Sequence, residues 1–435
     1  MTRAQHTVLF IGRTWPNPKM TAAGWRMKQL IDYFQSENYT VFFAAAEQYC
    51  TKKNKEAITE FQHLFPDVNA LHIALNDDGF DHEINCIKPD FVIFDRFMTE
   101  EQYGWRVREC CPEAMTILDT EDCHFLRLAR ANYIKKHPQA FDASSCQGEE
   151  LYTELTMREL ASIYRCDLSL IISKFEYHLL REVFSLPEGL LSYLPLATEE
   201  ISSDDNTPES KQEKTWSQRS HFLWVGNRKH QPNDDSLKYL LEVLWPVIQG
   251  QCPDAELHIV GPNGTEQQRQ LILKSKSVID LGWVDALPEL MGRYRVNLAP
   301  LRFGAGLKGK IMQPIALNLP TVCSGIGAEG LMLENIPELA PALNAEEFVA
   351  KAICLYSDQE FWVQVQKQGA YEINQNFSKA RVFLSFNDEL WAIKNDLKAH
   401  RHRYFMGQIL QHQSLNASKY LGRWLTLKNR SINPE

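Results

Sequence analysis

Short apolar runs alternate along this chain with stretches of helical period. The runs lie at residues 7–11, 39–45, 70–75, 90–94, 115–119, 167–172 and 190–196, each bounded by turn-forming or charged residues. Helix patterns fill intervals at 25–34, 53–64 and 150–164, and another opens at His124. Residues 131–150 are polar and weakly periodic, and read as a loop. A second alternation begins at 221. Strands are expected at 222–225, 255–260, 278–283 and 296–300. A helix should run through Leu237, Leu240, Leu241, Leu244 and Ile248, with further helices at 287–294, 345–356 and 360–374. Strands that alternate with helices in this way predict parallel sheets with helices on both faces.

Between the two alternations, residues 198–220 are acidic, polar and almost free of aliphatic side chains, the pattern of a linker. The chain therefore reads as α/β. A first domain covers 1–197, a polar joint 198–220, a second domain 221–378, and a helical C-terminal extension 379–435. The last part carries Lys398, Arg401, Arg403, Lys419, Arg423, Lys428 and Arg430 among Tyr404, Phe405, Tyr420 and Trp424. Three readings fit it: a helix packed back on the body, a peripheral membrane contact, or an RNA contact.

Composition narrows the class. Of 435 residues, 44% are hydrophobic and 23% charged, as in a globular protein, and the formal charge of −9 argues against global attraction to nucleic acid. Ten cysteines show no CxxC spacing and no regular framework, so free thiols in a reducing compartment are expected. No apolar run approaches the roughly 20 residues that span a bilayer. The start of the chain lacks a signal-peptide core. The expected location is the cytoplasm, peripheral at the inner face of the membrane if the membrane reading of the tail holds.

The most telling chemistry lies at 296–331, VNLAPLRFGAGLKGKIMQPIALNLPTVCSGIGAEGL. A strand leads into a turn in which Gly304, Gly306 and Gly309 surround Lys308, with Lys310 just beyond. A helix starting near Leu307 would aim its free N–H groups and its dipole at that turn. This is a cradle for a phosphate, most plausibly a nucleotide diphosphate. The spacing is neither that of a P-loop nor that of the dinucleotide fingerprint. In the first domain, ligand chemistry should gather past the carboxyl ends of the strands. The loop ending at Gly24, the triplet Asp95-Arg96-Phe97 and the segment 119–127 all fall there. His124 suits proton transfer or a sugar hydroxyl; equally, it suits a helix start satisfied by Asp122. Ser173 and Glu176 have the spacing of a capping box. A cleft between the domains is where two substrates would meet.

The segments FLWVGN, RKHQPN, PDAELHIVG, LGWV, LAPLRFGAGLKGK and GAEGL, in that order, resemble the donor domain of family 4 (group 1) glycosyltransferases. The resemblance is strong over about 221–378 and weaker over the first half. It implies the GT-B architecture, two Rossmann-like domains facing across a cleft, with a helix near 379–394 that crosses back to the first domain. It also implies retaining transfer of a sugar from a nucleotide-activated donor to a glycan or lipid-linked acceptor, without a metal or other cofactor. Lys308 and Lys310, with N–H groups at Gly306 and Leu307, would hold the diphosphate, Lys308 acting as a catalytic cation. The loop of Gly226, Asn227, Arg228 and Lys229 would assist. Glu329 would reach a sugar or ribose hydroxyl. His124 would be catalytic, with Gly24, Arg26, Asp122 and Arg127 on the acceptor side. The family's paired glutamates, eight positions apart, fall here on Ala305 and Gln313. Gln313 remains a hydrogen-bonding residue on the donor side, and Pro314 after it should kink the helix. A non-catalytic nucleotide-sugar or glycan binding protein on the same fold is the second reading, favoured by Gln313.

Overall fold

The computed structural model describes residues 6–46, 52–75, 77–146, 148–198, 215–333 and 336–412, together with 420 and 424. Two wholly parallel sheets form its frame. The first contains β1 (Thr7–Gly12), β2 (Thr40–Ala45), β3 (Asn69–His72), β4 (Phe91–Asp95), β5 (Met115–Asp119), β6 (Leu168–Ile171) and β7 (Leu191–Tyr193), in the order β3-β2-β1-β4-β5-β6-β7. The second contains β8 (Ser220–Val225), β9 (Leu257–Val260), β10 (Val278–Gly282), β11 (Tyr294–Ala299) and β12 (Thr321–Cys323), in the order β10-β9-β8-β11-β12. Helices cover both faces, which is why Val8–Ile11, Phe91–Phe94 and Phe222–Trp224 are apolar without interruption and almost fully buried.

In each sheet the chain order reverses beside the first strand, between β1 and β4 and between β8 and β11. At such a reversal the loops on the two sides diverge and leave a crevice at the carboxyl ends. The two crevices face each other, and the seam between them is partly apolar. Ile172 and Leu196 from the first domain pack with Leu301, Leu307 and Ile311 from the second, and Phe303 enters the core of the first domain.

Several boundaries differ from the expected ones for local reasons. The helix opening at His124 runs on to Lys136, because Ala131 and Ile134 are buried one turn apart. The helix expected at 287–294 ends at Met291, and Tyr294 instead starts β11 with its ring against His258. Of the expected linker, 199–214 lie outside the described residues. Its end is ordered: Trp216–Gln218 forms a turn whose Trp216 ring lies 3.9 Å from the Arg295 guanidinium, and β8 begins at Ser220.

The helix expected to cross back is present, broken into Lys379–Val382 and Phe386–Lys394. Phe383 stacks on Tyr33 at 4.5 Å, and Phe386 and Leu390 are buried in the core of the first domain. The chain continues through Leu397–Arg403 and Met406–Gln411, still against that domain. Arg401 forks onto Asp167 at 2.7 and 2.9 Å and donates to the carbonyls of Pro112 and Ala114. Over 397–411 the tail thus packs back on the body. Lys419, Arg423, Lys428 and Arg430 lie outside the described residues. Among the described residues no helix is long and apolar enough to cross a membrane.

Candidate functional site at the seam between the domains

The Gly-rich turn runs from β11 to the helix Gly309–Ala316. That helix starts two residues later than expected. Leu307 points into the apolar seam and Lys308 is the extended residue before the first turn. Pro314 sits inside the helix without breaking it. Proline leaves the Lys310 carbonyl without its usual partner, and Asn297 of β11 donates its side-chain N–H to that oxygen at 3.4 Å. Gln313 is half-buried on the same short helix.

Lys308 is buried, with Nζ 3.5 Å from a Glu329 carboxylate oxygen. Burial pulls its pKa below the usual lysine value, and Glu329 opposes that shift. Lys310 donates to Asn233 Oδ1 at 2.6 Å; burial, reinforced by Lys308, lowers its pKa to about 7. Lys308 and Lys310 lie close enough at the helix start to disfavour each other's charge, and a diphosphate placed there would favour the charged form of both.

Glu329 follows the short helix Gly325–Ala328 and is held from across the seam. Arg130, on the helix His124–Lys136, donates to both Glu329 oxygens at 2.6 and 2.7 Å and to the Gly304 carbonyl at 2.9 Å. The Arg130 side chain is 2% exposed, so removing one partner of this buried fork would cost roughly 3–5 kcal/mol. Gly306 is held in the same way. Its N–H donates to Glu176 Oε1 at 2.8 Å, and the same oxygen takes the Cys123 N–H at 2.9 Å. The φ of Gly306 is +68°, and a Cβ there would stand 2.8 Å from the Asp122 Cβ. Only glycine lets this turn approach the other domain so closely.

The facing wall of the first domain is built on the segment after β5. Asp122 pairs with Arg127 and lies 3.4 Å from His124 Nε2. The start of the His124 helix is capped from a distance, with Glu159 accepting from the N–H groups of His124 and Phe125 at 2.9 and 2.8 Å. Burial, with Arg127 and Arg96 adding to it, lowers the His124 pKa to about 4 against the pull of Asp122. The imidazole is therefore neutral at physiological pH and can donate or accept a hydrogen bond. Asp122 keeps a pKa below its usual value: burial would raise it, but Arg127, His124 and Arg96 outweigh that. His124 thus starts its helix beside Asp122, and it is Asp122 that reaches the Gly-rich turn at Gly306.

Other expected site residues are placed differently. Arg26 is fully buried and pairs with Asp119 at 3.3 Å while donating to the Pro195 carbonyl, so it organises the first sheet and does not face an acceptor. The Gly24 N–H donates to Thr21 Oγ1, and a Cβ at Gly24 would meet the Asn17 carbonyl at 2.1 Å. That glycine serves the packing of its own loop. The Gly306 N–H is committed to Glu176, and Leu307 to the apolar seam. Arg228 is bound to Asp280 at 2.6 Å and to the Gly261 carbonyl at 2.9 Å, so its charge is neutralised inside the second domain. A Cβ at Gly226 would meet Asn233, and the Asn227 carbonyl accepts from Asn233 Nδ2 at 2.9 Å. Lys229 is exposed on the same loop. The Gly226–Lys229 loop thereby positions Asn233, and through it Lys310.

Sequence reasoning does not assign Arg130, Glu176 or Asn233 to the site. Arg130 had a signal, since it lies three residues after Arg127 and so near it on the same helix. Glu176 was hidden by its capping-box spacing, although Ser173 makes no cap bond to its helix.

Comparison with known proteins agrees with this architecture. Residues 219–358 match the model of the family described as Glycosyl transferases group 1. No curated protein matches the chain by sequence. Sucrose-phosphate synthase from Thermosynechococcus elongatus aligns with 91% of this chain and 100% of its own, at 13% identity and a TM-score of 0.62. Anabaena HepE, solved in complex with UDP and glucose, aligns with 89% of this chain and all of its own, at 10% identity and a TM-score of 0.62. A glycosyltransferase from Rickettsia africae aligns with 94% of this chain and all of its own, at 12% identity and a TM-score of 0.57. At such identities the likeness is one of fold: the chain has the GT-B architecture.

Proposed function

We propose, from the membership of residues 219–358 in the group 1 glycosyltransferase family, that this chain transfers a sugar from a nucleotide-activated donor to a glycan or lipid-linked acceptor, with retention of anomeric configuration. The observation that carries the reading is the meeting at one seam of the Lys308–Lys310 cradle, Glu329 and the His124 segment. The diphosphate would lie against Lys308 and Lys310 at the start of the helix Gly309–Ala316. Their charge would stabilise the diphosphate as the glycosidic bond breaks, an electrostatic effect that is strongest where water is excluded. Glu329 would take a sugar or ribose hydroxyl. Neutral His124, with Asp122 behind it, would orient the transferred sugar or the attacking hydroxyl. The HepE complex with UDP-glucose, a relative in fold, supports a sugar nucleotide as the class of donor.

Gln313, which stands where the family pattern has a glutamate, keeps a second reading in view: a sugar-nucleotide binding protein without transfer. The test is proton NMR of UDP-, GDP- and ADP-sugars incubated with the protein, with and without a cell extract as the acceptor source. One donor should be consumed and yield a product with the donor's anomeric configuration. An inverted product would exclude retention. Tight binding with no consumption under any condition would leave only the binding protein.

A further inference from the structure

We propose that Glu176, a carboxyl from the first domain, contacts the transferred sugar through one of its hydroxyls, and so makes sugar recognition depend on closure of the two domains. This rests on the donor reading above and assigns a residue to it. Glu176 is 1% exposed and sits at the helix start Lys174–Glu182, just past β6. Its Oε1 joins the domains, taking N–H groups from Cys123 on one side and Gly306 on the other. Its Oε2 is buried without a hydrogen-bond partner. A carboxyl oxygen so placed is costly unless a ligand completes it.

The surroundings indicate what that ligand group is. Glu176 and Glu329 both act on Lys308, and Asp122 lies close enough to act on Glu176. Burial, with Asp122 adding to it, raises the Glu176 pKa to about 7. A phosphate would be repelled by these carboxyls. A hydroxyl would not, because it can donate to an ionised carboxylate and accept from a protonated one. The anionic part of a donor belongs with Lys308 and Lys310, and the neutral, hydroxyl-rich part with Glu176 and Glu329. Ser173 makes no cap bond to this helix, and the neighbours of the carboxyl are the Cys123 and Gly306 N–H groups and the buried Cys123 thiol.

The competing role for Glu176 is a structural bridge between Cys123 and Gly306 only. The test is calorimetric titration of the full chain with the UDP-, GDP- or ADP-sugar it binds most tightly, and separately with the matching bare nucleoside diphosphate. Wild type, Glu176→Gln and Glu176→Ala are compared. Glu176→Gln retains an oxygen for the two N–H groups and guards against a variant that fails to fold. The sugar nucleotide should bind roughly tenfold or more weakly to each variant, whereas the bare diphosphate should change by no more than about twofold. Equal losses for the two ligands, or no loss for either, would overturn the role given to Glu176 and leave the donor reading standing. A wild-type protein that binds none of the sugar nucleotides would overturn both.

Discussion

Adding a single methyl group at Gly306 tests the seam most finely. In Gly306→Ala the residue must keep φ near +68°, which costs about 1–2 kcal/mol for an L side chain. The new Cβ would stand 2.8 Å from the Asp122 Cβ and 3.2 Å from Ile172 Cδ1, both on the opposite domain. Ile172 can rotate, but the Asp122 Cβ is fixed to its backbone. The relief available is a parting of the domains, which stretches or breaks the Gly306–Glu176 hydrogen bond. A bond to a charged group contributes about 1.5–3 kcal/mol, and each 1.4 kcal/mol is about a factor of ten in an equilibrium. Turnover of the donor should therefore fall about 10- to 100-fold. The two costs together come to about 2.5–5 kcal/mol, so the melting temperature should fall by roughly 5–20 °C, at about 2–4 °C per kcal/mol for a domain of this size. Gly250→Ala is the control: a Cβ there meets nothing within 4 Å, and the site is helical. It should leave turnover unchanged and, if anything, raise the melting temperature. Turnover and thermal unfolding of the three proteins decide the matter. Wild-type turnover in Gly306→Ala would refute the closed seam as the working arrangement.

Other consequences follow from the same geometry. Lys310 has a pKa of about 7 in the free protein, and a bound diphosphate would raise it. Donor binding above pH 7 should then take up protons, with Lys308 contributing in the same direction, and affinity should fall as pH rises from 7 to 9. Titration at pH 8 in buffers of different ionisation enthalpy measures the uptake, and Lys310→Met should reduce it. His124→Ala should lower turnover more than donor affinity; the reverse result would make His124 a donor-binding group only. Arg401→Ala leaves the Asp167 side chain, 5% exposed, with the two Thr116 bonds among the described residues. Since the Arg401 side chain is 27% exposed, the loss should be roughly 2–4 kcal/mol in urea unfolding, below the full value for a buried pair, with donor affinity unchanged.

The frame was legible in the sequence because parallel strands buried on both faces are written as continuous apolar runs, and VLFI, FVIF and FLW are such runs. The cradle was legible too, since Gly304–Lys310 is local and its composition is unusual. What lay beyond reach was the closure of the cradle by the other domain. Arg130 meets Glu329 across 199 positions and Glu176 meets Gly306 across 130, and no short-range periodicity encodes either. Locally plausible roles also misled. Arg26 in a helix after a Gly-rich loop resembles a surface ligand group, but Asp119 and Pro195, far along the chain, draw it into the sheet. Arg228 beside Lys229 resembles a phosphate clamp, but Asp280 neutralises it. Pro314 would be expected to kink its helix; it lies inside Gly309–Ala316, where an asparagine on the neighbouring strand supplies the donor that the freed carbonyl needs.

The chemistry proposed for this chain is cleavage of a nucleotide-activated sugar at the Lys308 cradle. The most direct measurement is release of nucleoside diphosphate from a panel of UDP-, GDP- and ADP-sugars by wild type and Lys308→Ala side by side. Release from one donor is expected for the wild type, with near-complete loss in the variant, through a loss of about 2–5 kcal/mol of interaction with the diphosphate. Release from no donor, or equal release by the two proteins, would contradict it.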